Sequence, residues 1–135
     1  MPRFRLALAQ TNPTVGDRDK NAHGILTMAR KAYDQGAQLL LTGELSLTGY
    51  PIEDLALRDN FLEISEASLK SLAEALQAEG MGDMAVVVGH PSGPHTVSSA
   101  ATTLHSPARA TNCASVLAGG HVHATYAKHH LPTYA

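Results

Sequence analysis

The sequence predicts an α/β fold on three observations. Short apolar segments at 4–10, 37–42 and 84–89 have the composition of buried strands. Two longer segments between them repeat apolar residues at the spacing of an amphipathic helix, and a hairpin sequence turned by two glycines follows. Because strands alternate with helices long enough for a crossover, we expect the first strands to pair in parallel.

The first predicted strand, residues 4–10, places Phe4, Leu6 and Leu8 at alternate positions. Alternate residues of a strand lie on the same face, and the alanines between them would allow a second layer to approach closely. We therefore expect both faces of this strand to be covered.

Two helices are predicted, over 20–35 and 60–79. Asp17 or Asp19 can cap the first, because a carboxylate at this position accepts a hydrogen bond from a free N–H group of the first turn. The second carries leucines on one face before Gly80. We expect a mixed sheet with both helices on one side.

The predicted hairpin consists of 112–118 and 121–127 around Gly119–Gly120, a pair that can adopt the positive φ of a tight turn. Before it, residues 92–111 are rich in Ser, Thr, Ala and Pro without a period, and we interpret them as a mobile insertion. Regular pairing about the turn predicts one face with Cys113, Ser115, Leu117, Val122, Ala124, Tyr126 and Lys128, and another with Val116 and His123.

Composition excludes several classes of protein. The 135 residues suit one domain, and ten basic against twelve acidic residues provide no basic stripe for nucleic acid. The sequence has no apolar run long enough for a membrane span and no secretory signal, so we expect a cytoplasmic protein. A single cysteine, Cys113, permits no internal disulfide, and the eight histidines show no metal-site spacing, so no metal is predicted.

Three residues invite a chemical role, and each also has a structural interpretation. Glu44 follows an apolar strand, where partial burial would raise the pKa of its carboxyl group toward that of a useful base; it can equally be a surface carboxylate. Lys128 ends the hairpin and can stabilise an oxyanion or simply protect a sheet edge. Cys113 lies within an apolar strand, and we predict that it is packing rather than a nucleophile.

Four segments, in order, resemble the nitrilase superfamily of carbon-nitrogen hydrolases. They are FRLALAQTNPTVGD at 4–17, LTGELSLTGYPIEDL at 41–55, VVVGHP at 86–91 and YAKHHLPTY at 126–134. The YPIED sequence at 50–54 is most similar to the glutamine-hydrolysing domains of NAD synthetases. The resemblance implies an α-β-β-α sandwich of the nitrilase type, with 1–135 as the N-terminal half only, a partial glutaminase domain.

The family's triad is a glutamate, a lysine and a cysteine in that sequence order, and Glu44 and Lys128 match the first two. The resemblance implies that Glu44 is the general base, that Lys128 stabilises the tetrahedral intermediate, and that Tyr134 lies near the glutamine substrate. Because Glu44 and Lys128 would face one reacting carbon, we expect them at neighbouring strand ends, with their charged groups close enough for direct or water-bridged contact. The family's cysteine comes after the lysine, so the chain lacks it. Thr42–Gly43 replaces the usual Phe-Pro, and we expect Gly43 to loosen the backbone that aims Glu44.

The implied function is hydrolysis of the glutamine amide to supply ammonia for NAD synthesis. The chain itself would need no cofactor, while ATP and magnesium would belong to a missing synthetase domain that is its partner. A half-sandwich exposes an apolar sheet face, so we also expect a homo-oligomer. The alternatives are a stand-alone hydrolase of another amide or nitrile, and a noncatalytic, truncated interaction module.

Overall fold

The chain forms one mixed five-stranded sheet with two helices, which confirms the α/β prediction. The computed structural model describes residues 1–52, 55, 58, 60–93 and 110–129. The sheet order is β1-β2-β3-β4-β5, with β1, β2 and β3 parallel and the last two pairs antiparallel. The elements are β1 (Leu6–Leu8), α1 (Arg18–Asp34), β2 (Leu39–Leu41), α2 (Phe61–Ala78), β3 (Ala85–Ser92), β4 (Thr111–Ala118) and β5 (His121–Ala127).

Both helices contribute to one aliphatic core on one face of the sheet. Alternate strand residues such as Leu40, Val86 and Leu117 are buried there with Ile25 of α1 and Leu72 of α2. Burial of such side chains contributes roughly 1.5–3 kcal/mol each, so this core holds the helices and the sheet together. Neither described helix has the length and apolarity that crossing a bilayer demands.

The two helices differ in how their starts are capped. Asp17 caps α1, because its side chain accepts a hydrogen bond from Lys20 N at 3.1 Å. Asn60 precedes α2 with a left-handed φ of 67° and makes no side-chain capping bond. The second helix is therefore held by its buried leucines rather than by a cap. Of the predicted insertion, Ser92 belongs to β3 and Thr111 to β4, whereas 94–109 lies outside the described residues.

The opposite face of the sheet, which we call the outer face, is apolar and open. Along the described chain, Phe4 is 66% exposed and Leu8 is 68% exposed, so the expectation that both faces of the first strand are covered is wrong. The register aligns Leu8 with Leu41 and Val87 on this face. The described helices account for only one side of the sheet, because both pack on the other face.

The hairpin turns at Gly119–Gly120 as predicted, but it contains a β-bulge. Leu117 pairs with Val122, and Val116 then pairs with Ala124, so His123 is an extra residue in β5. The extra residue shifts the rest of β5 by one position. The prediction that Cys113 and Ser115 share a face with Tyr126 and Lys128 is therefore wrong: Tyr126 pairs with Ala114, while Lys128 N donates to Asn112 O at 2.8 Å.

Candidate active site

Glu44 lies in a compact turn directly after β2. Ser46 N donates to Gly43 O at 3.2 Å, and Gly49 N donates to Leu45 O at 2.8 Å. Leu45 has a φ of 49°, a left-handed conformation that costs a branched side chain on the order of 1 kcal/mol. Such strain persists only where the surroundings enforce it, so the hydrogen bonds of the turn hold Glu44 in place.

The turn rests directly on β3 at Gly89. A Cβ atom at Gly89 would lie 2.4 Å from Gly43 O and 2.6 Å from Leu45 N, closer than non-bonded atoms approach. Leu47 N donates to Gly89 O at 3.1 Å, which joins the turn to the strand. A glycine is therefore required at 89 because the backbone of the glutamate turn occupies the space of its side chain.

Thr42, the residue before Gly43, is hydrogen-bonded to the same strand. Its hydroxyl donates to Val87 O at 2.9 Å, lies 2.7 Å from Ser46 Oγ, and accepts from Gly89 N at 3.3 Å. At Gly43 itself, an added Cβ atom would have no neighbour within 4 Å. We expected Gly43 to loosen the backbone before Glu44, but the hydrogen bonds of the Thr42 hydroxyl hold that backbone against β3.

The two sequence-predicted catalytic residues meet. Lys128 Nζ lies 2.8 Å from Glu44 Oε1, and Asn112 Nδ2 donates to the same oxygen at 2.6 Å. Direct contact confirms the prediction that their charged groups converge. The expectation that they lie at neighbouring strand ends is wrong, because β3 and β4 lie between β2 and β5. Glu44 reaches Lys128 because its turn crosses over β3 at Gly89.

The local electrostatics favour an ionised Glu44. The hydrogen bond from Lys128 lowers the pKa of the Glu44 carboxyl group most. Burial raises this pKa by a smaller amount, and the hydrogen bond from Asn112 lowers it further. The expectation of a raised pKa is wrong, because these hydrogen bonds outweigh the burial of a side chain that is still 45% exposed. Glu44 is thus a carboxylate at neutral pH, able to accept a proton.

A pocket of about 390 Å³ opens beside this pair on the outer face. It is lined by Thr42, Gly43, Glu44, Val87, Gly89, Asn112, Cys113, Ala114, Tyr126, Ala127 and Lys128. An ion pair at the end of an apolar wall is suited to a polar ligand with an aliphatic stem. Within the described ranges, no three His, Cys, Asp or Glu side chains are grouped as metal ligands would be.

Cys113 is the only cysteine of the chain, and it is a poor nucleophile. It is 3% exposed, and burial raises the pKa of its thiol, with Glu66 adding a smaller effect of the same sign. A reactive cysteine needs a lowered pKa and access to substrate. Burial therefore agrees with the predicted packing role.

Sequence reasoning missed three residues of the site. Asn112, Thr42 and Gly89 carry no charge, and their roles depend on contacts with segments far along the chain. The one available signal was the asparagine that opens the strand opposite Lys128. Tyr134, the predicted substrate-binding residue, lies outside the described residues.

Comparison with known proteins identifies the class of this fold and site. The carbon-nitrogen hydrolase family matches residues 5–135, and the chain therefore belongs to that family. An amidase of the nitrilase superfamily from Nesterenkonia has a similar structure, with a TM-score of 0.73 and 28% identity over 98% of this chain and 47% of that one. The predicted nitrilase-type fold is confirmed.

The more particular similarity is to synthetases. The glutamine-dependent NAD(+) synthetase of Synechocystis is 37% identical over 131 residues, 97% of this chain and 22% of that protein. The crystal structure of the glutamine-dependent NAD(+) synthetase from Cytophaga hutchinsonii superposes with a TM-score of 0.77 at 26% identity, over 96% of this chain and 19% of that chain. The chain spans about a fifth of the length of the curated relatives it matches.

Proposed function

We propose that this chain supplies the base and the cation of a glutamine-hydrolysing site in a glutamine-dependent NAD synthetase. The observation that carries the proposal is the 2.8 Å contact between Glu44 and Lys128 at the mouth of the pocket. Similarity to synthetases over nearly the whole chain supports glutamine as the substrate.

In the proposed reaction, Glu44 accepts the proton of a cysteine thiol, so that the S–H bond breaks as an O–H bond forms. The thiolate adds to the amide carbon of glutamine, and the electron pair of the carbonyl moves to oxygen, where Lys128 stabilises the negative charge. Glu44 returns the proton to the amide nitrogen, the oxyanion re-forms the carbonyl as the C–N bond breaks, and ammonia leaves a thioester. Water then hydrolyses the thioester to glutamate and the free thiol. By family resemblance the cysteine follows Lys128 in sequence, as the cysteine of a later strand.

The family resemblance supplies two further parts of the proposal. Tyr134 would contact the glutamine, and ATP and magnesium would bind a synthetase domain outside these residues. We propose a cytoplasmic protein that forms homo-oligomers. The open outer face, where Leu8 is 68% exposed, is consistent with association.

A chimera tests the function. Residues 1–135 would replace the aligned segment of the Synechocystis synthetase, and glutamate release and NAD formation would be measured with glutamine. We expect glutamine-dependent activity in the chimera and its loss in Glu44→Gln. NAD formation from added ammonia, which bypasses the hydrolysis, is the control for folding. Ammonia-driven activity without any glutamine-driven activity in the unmutated chimera would contradict the proposal.

Hydrolysis of another amide is the second candidate, and the structural likeness to the Nesterenkonia amidase favours it. In a mutant of that amidase, acrylamide undergoes Michael addition at the active-site cysteine. If the chimera hydrolyses acrylamide or acetamide faster than glutamine, the simple-amide assignment replaces the glutamine assignment.

A further inference from the structure

Building on the proposed function, we propose that Asn112 is a positioning residue for Glu44. Together with Lys128 it holds Oε1 of the carboxylate and leaves Oε2 as the oxygen that receives the thiol proton.

Both donors converge on one oxygen. Asn112 Nδ2 lies 2.6 Å and Lys128 Nζ lies 2.8 Å from Oε1 of Glu44. Among the described residues, none donates to Oε2. Two donors on Oε1 oppose rotation of the carboxylate and engage the lone pairs of that oxygen. Oε2 keeps its lone pairs available for an incoming proton.

The sheet fixes the separation of the two donors. Lys128 N donates to Asn112 O at 2.8 Å, so these residues face each other across β4 and β5. The bulge at His123 creates this arrangement, because regular pairing about the turn would shift Lys128 by one position. A short amide and a long ammonium thus approach Glu44 from adjacent strands.

The amide adds a function that the ammonium cannot perform alone. Lys128 has a flexible four-carbon stem and must turn toward the oxyanion when the tetrahedral intermediate forms. Asn112 has a shorter side chain with fewer torsions, and its amide remains on Oε1 during that movement. Glu44 would therefore keep its orientation through the step in which the lysine leaves it.

The first test follows the titration of the Glu44 carboxyl carbon by NMR in the 135-residue chain. Asn112→Leu removes the donor at similar size, and Thr111→Val is the control on the neighbouring strand residue. We expect Asn112→Leu to raise the pKa of Glu44, because a donor to the charged form is lost, and Thr111→Val to leave it unchanged. Asn112→Ala provides the same comparison if Leu disturbs β4. An unchanged Glu44 titration in a folded Asn112 variant would overturn the inference.

The second test is kinetic and uses the chimera with glutamine. We expect Asn112→Leu to lower kcat by about 10- to 100-fold, as a base displaced by about 1 Å does, and to shift the acidic limb of the pH profile upward. Asn112→Gln should restore part of the rate, since it keeps the amide. A uniform loss with an unshifted pH profile would mean that Asn112 is merely structural.

The two proposals can fail separately. An inactive chimera with a raised Glu44 pKa in Asn112→Leu would refute the function and support the positioning contact. An active chimera, together with a Glu44 pKa that Asn112→Leu leaves unchanged in the 135-residue chain, would refute only the positioning role.

Discussion

Replacing Gly89 with alanine should displace the glutamate turn. The new Cβ would lie 2.4 Å from Gly43 O, and about 1 Å of movement is needed to reach an ordinary contact of 3.4 Å. Overpacking of this kind costs about 1–3 kcal/mol. The movement also weakens the bonds that Gly89 makes with Thr42 and Leu47, each worth about 1 kcal/mol. We expect Gly89→Ala to lower the free energy of unfolding by about 2–4 kcal/mol.

Gly43→Ala is the matched control. Nothing lies within 4 Å of its added Cβ, and neither glycine has a left-handed φ. Both substitutions change the unfolded chain alike, so that contribution cancels in the comparison. Urea unfolding would be followed by far-UV circular dichroism, because the chain has no Trp. Equal losses of stability for the two variants would refute the idea that Gly89 makes room for the turn.

Three other predictions concern the charges and the thiol. Stability should rise with pH near neutrality, because burial lowers the pKa of His90 below 6.5. Below pH 6.5 the unfolded chain binds a proton on His90 that the folded chain does not bind. The contribution of His90 to the free energy of unfolding is therefore complete above pH 6.5 and is lost as the pH falls below that value. A double-mutant cycle of Glu44→Gln and Lys128→Met should give a coupling of under about 1 kcal/mol, since the side chains are 45% and 42% exposed. The chain alone should release no glutamate from glutamine, and Cys113→Ser should not change this result.

Each of these has a contrary outcome. Urea midpoints from pH 5 to 7.5 should flatten in His90→Gln, and an equally steep dependence in that variant would exclude His90 as its source. A coupling of several kcal/mol between Glu44 and Lys128 would show that the pair is shielded from water. Glutamate release that disappears in Cys113→Ser would make Cys113 the nucleophile.

The site combines a local signal with distant contacts. Glu44 and Lys128 were identifiable because motifs around them resemble a family, yet neither motif states that their charges touch. The contact spans 84 residues of sequence, and the contact with Asn112 spans 68. Because both donors lie so far from Glu44 in sequence, the expectation of a raised pKa for its carboxyl group was wrong. Position after an apolar strand suggested burial, whereas the two donors supplied by the hairpin lower the pKa.

The sequence by itself determined the order of helices and strands, the turn at Gly119–Gly120 and the identity of the charged pair. The helices, the strands and the turn depend on spacings of two to four residues, which a pattern reports directly, whereas the charged pair was identified by family resemblance. Only the tertiary structure decided that the turn after β2 crosses β3 at Gly89 and that a bulge at His123 sets Lys128 opposite Asn112. They depend on which backbone atoms meet when distant strands pair, and a one-residue shift in pairing reverses the face on which a side chain lies.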